Sequence, residues 1–422
     1  MIPGALVLRE YETACIGPSW DSTTKTVSRK EVALIDLHQR STGRQLFHLS
    51  YRTIKATNWV GVIGIGARCI EVVPKIDEPN ELKVRENLLH MIARADLVPL
   101  SAADIARLAN TNKPLLTAYM ELYVDQLTRE WRKGQIKRYV LHKENRTCLK
   151  GKLLLPIHIR TNLVHKERFF TASHEFNCNN SISQLLKAAL RKCREQAFSS
   201  RVVQKAKSLM ADFEEVSDVD ADEHVMKQIQ VDRCISRFEP LVNMAKFIIR
   251  NISPSPAGPG HPVYSLMFDM NEVFERFIAA EITAALRGES CRVKYQVTGR
   301  SLLQSRGRRQ FALRPDIGVY RGRSNLCVID TKWKKLDRNR SHDNVSQADI
   351  YQMYAYGKEL DSPKVILLYP QHSDLPYVVA DYEHIEDAPA KRILVRTVNV
   401  SEPFSRREVK SHLRRTLREM IL

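Results

Sequence analysis

The 422-residue chain carries 66 Lys+Arg against 48 Asp+Glu, a formal net charge of +18 at pH 7, with 43% hydrophobic and 7% aromatic residues. That balance excludes a disordered or collagenous chain and leaves room for two domains with proper cores. The basic surplus favours a polyphosphate partner, nucleic acid first, through counterion release.

Eight cysteines without a CxxC pair give neither a zinc ribbon nor a disulfide framework and suit a reducing compartment. The start, MIPGALVLREYE, has no basic segment followed by an apolar one. No run approaches the roughly 18 apolar residues of a membrane span, so a soluble, cytoplasmic protein with no membrane partner is expected.

In chain order, residues 1–80 read as β-rich. Leu6-Val7-Leu8 is one strand, and Trp59 to Ile65 with Ile70 to Pro74 a pair broken by Gly64 and Gly66. Residues 81–250 read as mainly helical. Glu86 to Arg94 and Ala102 to Leu108 are helices, the second with Ser101 as its cap. Leu115, Tyr119, Leu122, Tyr123, Leu127 and Trp131 recur at helical spacing up to Gly134. Helix resumes near Ser183, runs through the basic Lys187 to Arg194 and continues to Met210, and the acidic stretch Asp212 to Glu223 reads as a solvated loop. Gly151-Lys152 lacks the upstream glycine and following Ser/Thr of a phosphate-cradling loop, so the chain itself is expected to bind no nucleotide. Proline and glycine at 251–262 mark a linker, which leaves 263–422 as a C-terminal domain.

Past the linker, Leu266 to Ile282 reads as one amphipathic helix, with Met270, Val273, Phe274, Phe277 and Ile278 on one side. Glu275 lies near the border of that stripe, where a carboxylate can reach into a site the helix covers; Glu272 points almost opposite. Phe311 to Tyr320 and Leu326 to Lys334 then flank a basic, glycine-containing turn and read as a β-hairpin. With the turn centred on residue 323, Asp316 and Asp330 are equidistant from it and adjacent, and Lys332 shares their face.

Two carboxylates held that close repel and desolvate unless a cation joins them. Mg²⁺ (or Mn²⁺ in its place) between Asp316 and Asp330 removes the conflict and supplies the Lewis acid of phosphodiester hydrolysis. Lys332 can polarise the attacking water and stabilise the developing charge. Downstream, Ser346 to Tyr356 reads as a helix that sets Gln352 and Tyr356 on one face, where the glutamine could hold a water or the scissile phosphate. Arg314, Lys334, Lys335, Arg338 and Arg340 are candidate contacts to a nucleic-acid backbone. Val365 to Pro370, Val378 and Ile393 to Val398 read as strands, and Glu408 to Met420 as a closing basic helix.

These segments together resemble the McrC family, the nuclease subunits of modified-cytosine restriction systems. The resemblance rests on Trp59 to Ile63 running to Ile70-Glu71-Val72-Val73-Pro74-Lys75-Ile76, on Leu266 to Glu275, on Arg314-Pro315-Asp316, on Ile329 to Lys334, and on Asp349 to Tyr356. The chain departs from the family pattern at Leu149 to Leu153 and at Glu175 to Asn180.

The resemblance implies an α/β C-terminal domain of the PD-(D/E)XK restriction-endonuclease type, a mixed sheet flanked by helices, behind an α+β N-terminal half. It implies Asp316, Asp330 and Glu275 as metal carboxylates, with Lys332 and Gln352 completing the catalytic set. It also implies double-stranded, modified DNA as substrate. In that family residues matching 1–250 dock on a hexameric AAA+ GTPase that reads the modified base, and stimulate its hydrolysis. An autonomous defence or repair nuclease is the alternative, and a non-catalytic DNA-binding or assembly subunit a third reading. Intact Asp316, Asp330 and Lys332 weigh against the last.

Overall fold

The computed structural model describes residues 5–66, 68–111, 113–196, 199–251, 263–305, 308–372, 375–384 and 391–422. The chain forms two compact units, one from Met1–Leu115 with Ser255–Leu422, the other Leu116–Pro254. The division differs from the expected break between 1–250 and 263–422, because the first 115 residues fold with the C-terminal segment. Of the expected linker at 251–262, Asn251 ends the helix Glu239–Asn251 and residues 252–262 lie outside the described residues.

The reason is one sheet. Ala5–Arg9 pairs in parallel with Arg68–Val73, which forms a hairpin with Trp59–Ile65. The far side of Trp59–Ile65 pairs antiparallel with Val263–Asp269. Gly61 makes that last pairing possible: at φ +129, a Cβ there would lie 2.0 Å from the Leu266 carbonyl oxygen. Val263–Asp269 is thus a strand where the sequence reading had helix from Leu266. The helix is Met270–Ala285, started by Asp269, whose side chain accepts from the Asn271 N–H. Its expected apolar side, Met270, Val273, Phe274, Phe277 and Ile278, is buried.

The β-rich start also holds a helix, Arg29–Thr42, which the sequence reading missed. Ser28 caps its first turn and Gly43, at φ +66, ends it. His38 Nε2 lies 2.8 Å from Ser265 Oγ, tying this helix to the strand that enters the C-terminal segment. Glu81–Arg94 and Ala102–Ala109 follow as helices, the second with a capping box on Ser101 and Asp104.

The C-terminal segment builds a mixed six-stranded sheet in the order Arg292–Tyr295, Ile317–Arg321, Ser324–Thr331, Lys364–Pro370, Arg392–Val398, Val378–Glu383. The two central pairings, Ser324–Thr331 with Lys364–Pro370 and that strand with Arg392–Val398, are parallel; the outer ones are antiparallel. Near-continuous apolar runs such as Val365 to Tyr369 are what a strand covered on both faces requires. The helix Gln347–Glu359 covers one face through Met353 and Tyr356, which join Val328, Val365, Leu367 and Val395 in one core. Met270–Ala285 packs on Ser324–Thr331 and on the closing helix Arg407–Ile421.

The other unit holds the helices Leu115–Lys133, Ser181–Gln196, Ser200–Ala211 and Glu239–Asn251. It also holds a three-stranded antiparallel sheet, Arg138–Arg146, Phe169–Asn177 and Lys152–Leu153, where the sequence reading had helix or left no assignment. Its strands are polar and half-exposed, so no apolar run announces them. The acidic stretch is not merely solvated: Asp218 pairs with Lys187 at 3.2 Å and Asp220 with Arg191 at 2.7 Å. All eight cysteines are free. Among the described residues no helix is long and apolar enough to cross a membrane.

Candidate functional site

Asp316 and Asp330 do meet, by a route the simple register count did not contain. The hairpin turn is tighter than expected, with Arg321 opposite Ser324 and Gly322 at φ +58. A bulge between Val319 and Tyr320 then shifts the ladder, so that Val319 faces Cys327 and Ile317 faces Ile329. The shift restores the register in which residue 316 stands beside residue 330. Both lie at the end of the strand pair where parallel pairing with Lys364–Pro370 continues.

Asp316 is held by its neighbour across the ladder. Its Oδ2 accepts from the Thr331 backbone N–H at 2.7 Å and from Thr331 Oγ1 at 2.8 Å. Asp330 is 2% exposed. Lys332 Nζ stands 2.6 Å from Asp330 Oδ2, and its backbone N–H donates to the Leu368 carbonyl at 2.9 Å, which fixes the strand end. Beyond that ion pair, Asp330 Oδ2 is buried without a hydrogen-bond donor among the described residues.

The helix Gln347–Glu359 completes this side. Lys332 Nζ donates to Gln352 Oε1 at 3.3 Å, and Gln352 Nε2 donates to the Tyr356 hydroxyl at 2.7 Å. Asp349, in the first turn of that helix, lies 3.9 Å from Lys332 Nζ and 3.2 Å from Lys334 Nζ.

Burial first, and then the charge of Asp316, pushes the Asp330 carboxyl up to about 7 even with Lys332 beside it. Burial also raises Asp316, against the two Thr331 hydrogen bonds. The Tyr356 hydroxyl is driven to about 12, by burial and then by Asp330. Burial works against the Lys332 ammonium, but Asp330, Asp349 and Asp316 outweigh it and hold its pKa above the ordinary value. The site is therefore short of positive charge although a lysine already sits in it.

Glu275 is near but separate. Its carboxyl is raised by burial and then by Asp316. Gln296 stands between them: its Nε2 donates to Glu275 Oε1 at 3.3 Å, while its backbone N–H donates to the Asp316 carbonyl at 2.6 Å. Among the described residues no group of three or more His, Cys, Asp or Glu side chains is placed to hold a metal ion. Glu275 thus does not close a three-carboxylate cage with Asp316 and Asp330. Glu272 is turned away into an ion pair with Arg276 at 2.7 Å.

The residues present still fit Mg²⁺. That ion is commonly held by one or two carboxylates and keeps several waters, and buried Asp330, raised although Lys332 lies 2.6 Å from its Oδ2, is a hard oxygen donor that a divalent cation would favour.

Of the basic residues expected at a nucleic-acid backbone, Lys334 pairs with Asp349, Lys335 with Asp77 at 3.4 Å and Arg340 with Asp337 at 3.4 Å. Arg314 and Arg338 are exposed. Two positioning residues escaped the sequence reading. Thr331 sits between the two residues singled out, and its role needs the ladder to be known. Glu10, far upstream, accepts from Trp333 Nε1 at 2.9 Å and from the Lys75 N–H at 2.8 Å, and so anchors the residue after Lys332. Only the burial of a glutamate could have flagged it.

The sequence matches the family described as McrBC 5-methylcytosine restriction system component over residues 54–370, more than half of the chain. No match was found among curated proteins. Two solved structures from Thermococcus gammatolerans share the fold at 18% identity. A chain of the half-complex from the tetradecameric assembly of McrB AAA+ hexamers with bound McrC is matched over 99% of this chain and 100% of that one, with a TM-score of 0.73. A chain of the McrBC complex is matched over 71% of this chain and 90% of that one, with a TM-score of 0.51. The chain therefore belongs to the McrBC 5-methylcytosine restriction system component family.

Proposed function

We propose that this chain is the McrC-type nuclease subunit of a McrBC-like complex, and that its mixed C-terminal sheet is a PD-(D/E)XK domain hydrolysing DNA phosphodiester bonds. One observation carries the reading: a desolvated carboxylate pair, Asp316 and Asp330, with Lys332 at 2.6 Å, at the end of a buried strand pair. Such a pair is unfavourable without a cation and useful with one. Asp316 and Asp330 would hold Mg²⁺, with Glu275, whose carboxyl feels the charge of Asp316, as the further acid. When bound, the ion would supply Lewis acidity to the phosphate and neutralise charge on the leaving oxygen. Lys332 orients the attacking water and stabilises the developing charge, and Gln352, tied to Lys332 and Tyr356, keeps that ammonium in place.

Partner assignment follows the solved relative, whose McrB AAA+ hexamers carry bound McrC. The absence of a phosphate-cradling loop in this sequence agrees with a subunit that leaves nucleotide hydrolysis to its partner. Residues 263–422 then carry cleavage, and residues 1–250 supply the docking and stimulation of that GTPase. The substrate is modified double-stranded DNA.

The test is a plasmid cleavage assay on methylated and unmodified DNA, with Mg²⁺ or EDTA, with and without the neighbouring AAA+ protein and GTP. Metal-dependent cutting that needs partner, GTP and methylation is expected. Cutting by the chain alone would establish an autonomous nuclease, and no cutting in any mixture would remove the catalytic role.

A further inference from the structure

The helix Gln347–Glu359 covers the central strands of the mixed sheet, and the edge pair Arg292–Tyr295 and Ile317–Arg321 borders a groove of about 1020 Å³ instead. Its lining includes five cations, Arg292, Lys294, Arg300, Arg323 and Lys391, and a single carboxylate, Asp361. Asp361 is already taken, by Lys391 at 3.0 Å. The Arg292 guanidinium lies over the Tyr320 ring at 5.6 Å, which orients it without neutralising it. Lys294, Arg300 and Arg323 are exposed and form no ion pair among the described residues.

That pattern is unlike the loop after Lys332, whose Lys334, Lys335 and Arg340 are each spent on a neighbouring aspartate. Unpaired cations on the wall of a groove are the electrostatic footprint of a polyanion.

Position adds the second argument. Tyr295 pairs with Ile317, the Val297 N–H donates to the Pro315 carbonyl at 2.9 Å, and Val297 also lines the groove. The lining thus reaches the residue paired with Pro315, next in sequence to Asp316, at one end and the hairpin turn at Arg323 at the other, and Asp316 to the strand end at Arg321 is roughly 17 Å at the usual rise per residue. Arg292 and Lys294, two residues apart on one strand, share a face.

We propose that this groove holds the sugar-phosphate backbone of duplex DNA flanking the scissile phosphate, with Arg292 and Lys294 as its central contacts. The proposal rests on the nuclease reading for its choice of polyanion.

The experiment is fluorescence anisotropy of a labelled 30-base-pair duplex with the full chain, in Ca²⁺, over a salt series. The double variant Arg292→Glu/Lys294→Glu is compared with Arg407→Glu/Arg415→Glu, the same charge change on the closing helix. The groove variant should weaken binding at least ~10-fold and flatten the salt slope by about 2, one unit per lost phosphate contact, with the control near wild type. Arg292→Ala/Lys294→Ala, checked for an unchanged melting curve, should show the same flattening if the charge reversal unfolds the edge strand.

Equal loss in groove and control variants, or no measurable binding by the wild-type chain at low salt, overturns the proposal. So does unchanged DNA binding with lost co-elution of the AAA+ partner, which would make the groove a protein interface. Groove-dependent binding without cleavage of methylated DNA under any metal, with the AAA+ partner and GTP present, would leave the groove standing and sink the nuclease reading. Cleavage that is indifferent to the groove variant would do the reverse.

Discussion

Replacing Asp330 by asparagine tests the idea that the site is charge-starved. Raising a carboxyl from its ordinary 3.8 to about 7 means that ionising it in the folded chain costs roughly 4 kcal/mol more than in water. The folded state holds that proton more tightly than the unfolded state does. Its contribution to stability is thus full below the ordinary value and lost as the pH rises through about 7. At pH 8 without metal, Asp330→Asn removes that cost. It also strips Lys332 of its 2.6 Å partner, leaving Asp349 at 3.9 Å, which returns about half of the gain. The balance is a stabilisation of about 2 kcal/mol, or about 4 °C in melting temperature for a unit of this size. At pH 5 the unfolded carboxyl is already ionised while the folded one keeps its proton, so part of the gain remains, and it should vanish only below the ordinary 3.8. Magnesium should narrow the gap without closing it: at 10 mM ion and a dissociation constant near 1 mM, the wild type gains about 1.4 kcal/mol and the variant nothing. Differential scanning fluorimetry at pH 5 and 8, in EDTA and in Mg²⁺, reads all four corners. A variant that melts lower than wild type at pH 8 in EDTA, or that is stabilised by Mg²⁺ as strongly as wild type, refutes the reasoning.

Three further substitutions probe the neighbours. Lys332→Ala should cut DNA about 10²- to 10⁴-fold more slowly in single turnover while keeping, or enlarging, the Mg²⁺-dependent rise in melting temperature, because it deletes only the competing cation. Thr331→Val removes the hydroxyl that donates to Asp316 at 2.8 Å but leaves the backbone N–H in place. The Mg²⁺ concentration for half-maximal cleavage should rise about 10-fold, with the rate at saturating metal largely kept. Met353→Ala opens a hole in a position that is 0% exposed beneath the central strands, and urea unfolding should register a loss of about 2–5 kcal/mol.

What could be read from the sequence follows from how local each signal is. Strands buried on both faces, such as Val365 to Tyr369, announce themselves by continuous apolar runs, and Met270 to Ile278 by helical periodicity. The polar sheet of Arg138–Arg146 and Phe169–Asn177 has neither, since its pairing is satisfied by backbone hydrogen bonds on a surface open to water. Val263–Asp269 was misread because a short apolar run ahead of a helix has no period of its own. Its strand character comes from a partner two hundred residues upstream, at a glycine without a Cβ to block it.

The same distinction explains which parts of the site were legible. Asp316, Asp330 and Lys332 lie within one hairpin, so strand alternation alone brings them near each other, and the bulge at Val319 and Tyr320 compensates for the tighter turn. Glu275 reaches the neighbourhood on a separate helix, where helical phase sets its direction but not its distance. The distance is decided by Gln296, which joins Glu275 to the Asp316 strand through one side-chain and one backbone hydrogen bond. Glu10 and Trp333 are further still, joined only because the N-terminal sheet packs behind the strand that carries the lysine. A site built on a scaffold is thus read from sequence as far as its residues share an element. The side chains that lock it from other elements are visible only once those elements are placed, and it is there that the carboxylate pair acquires the burial that raises Asp330 to about 7.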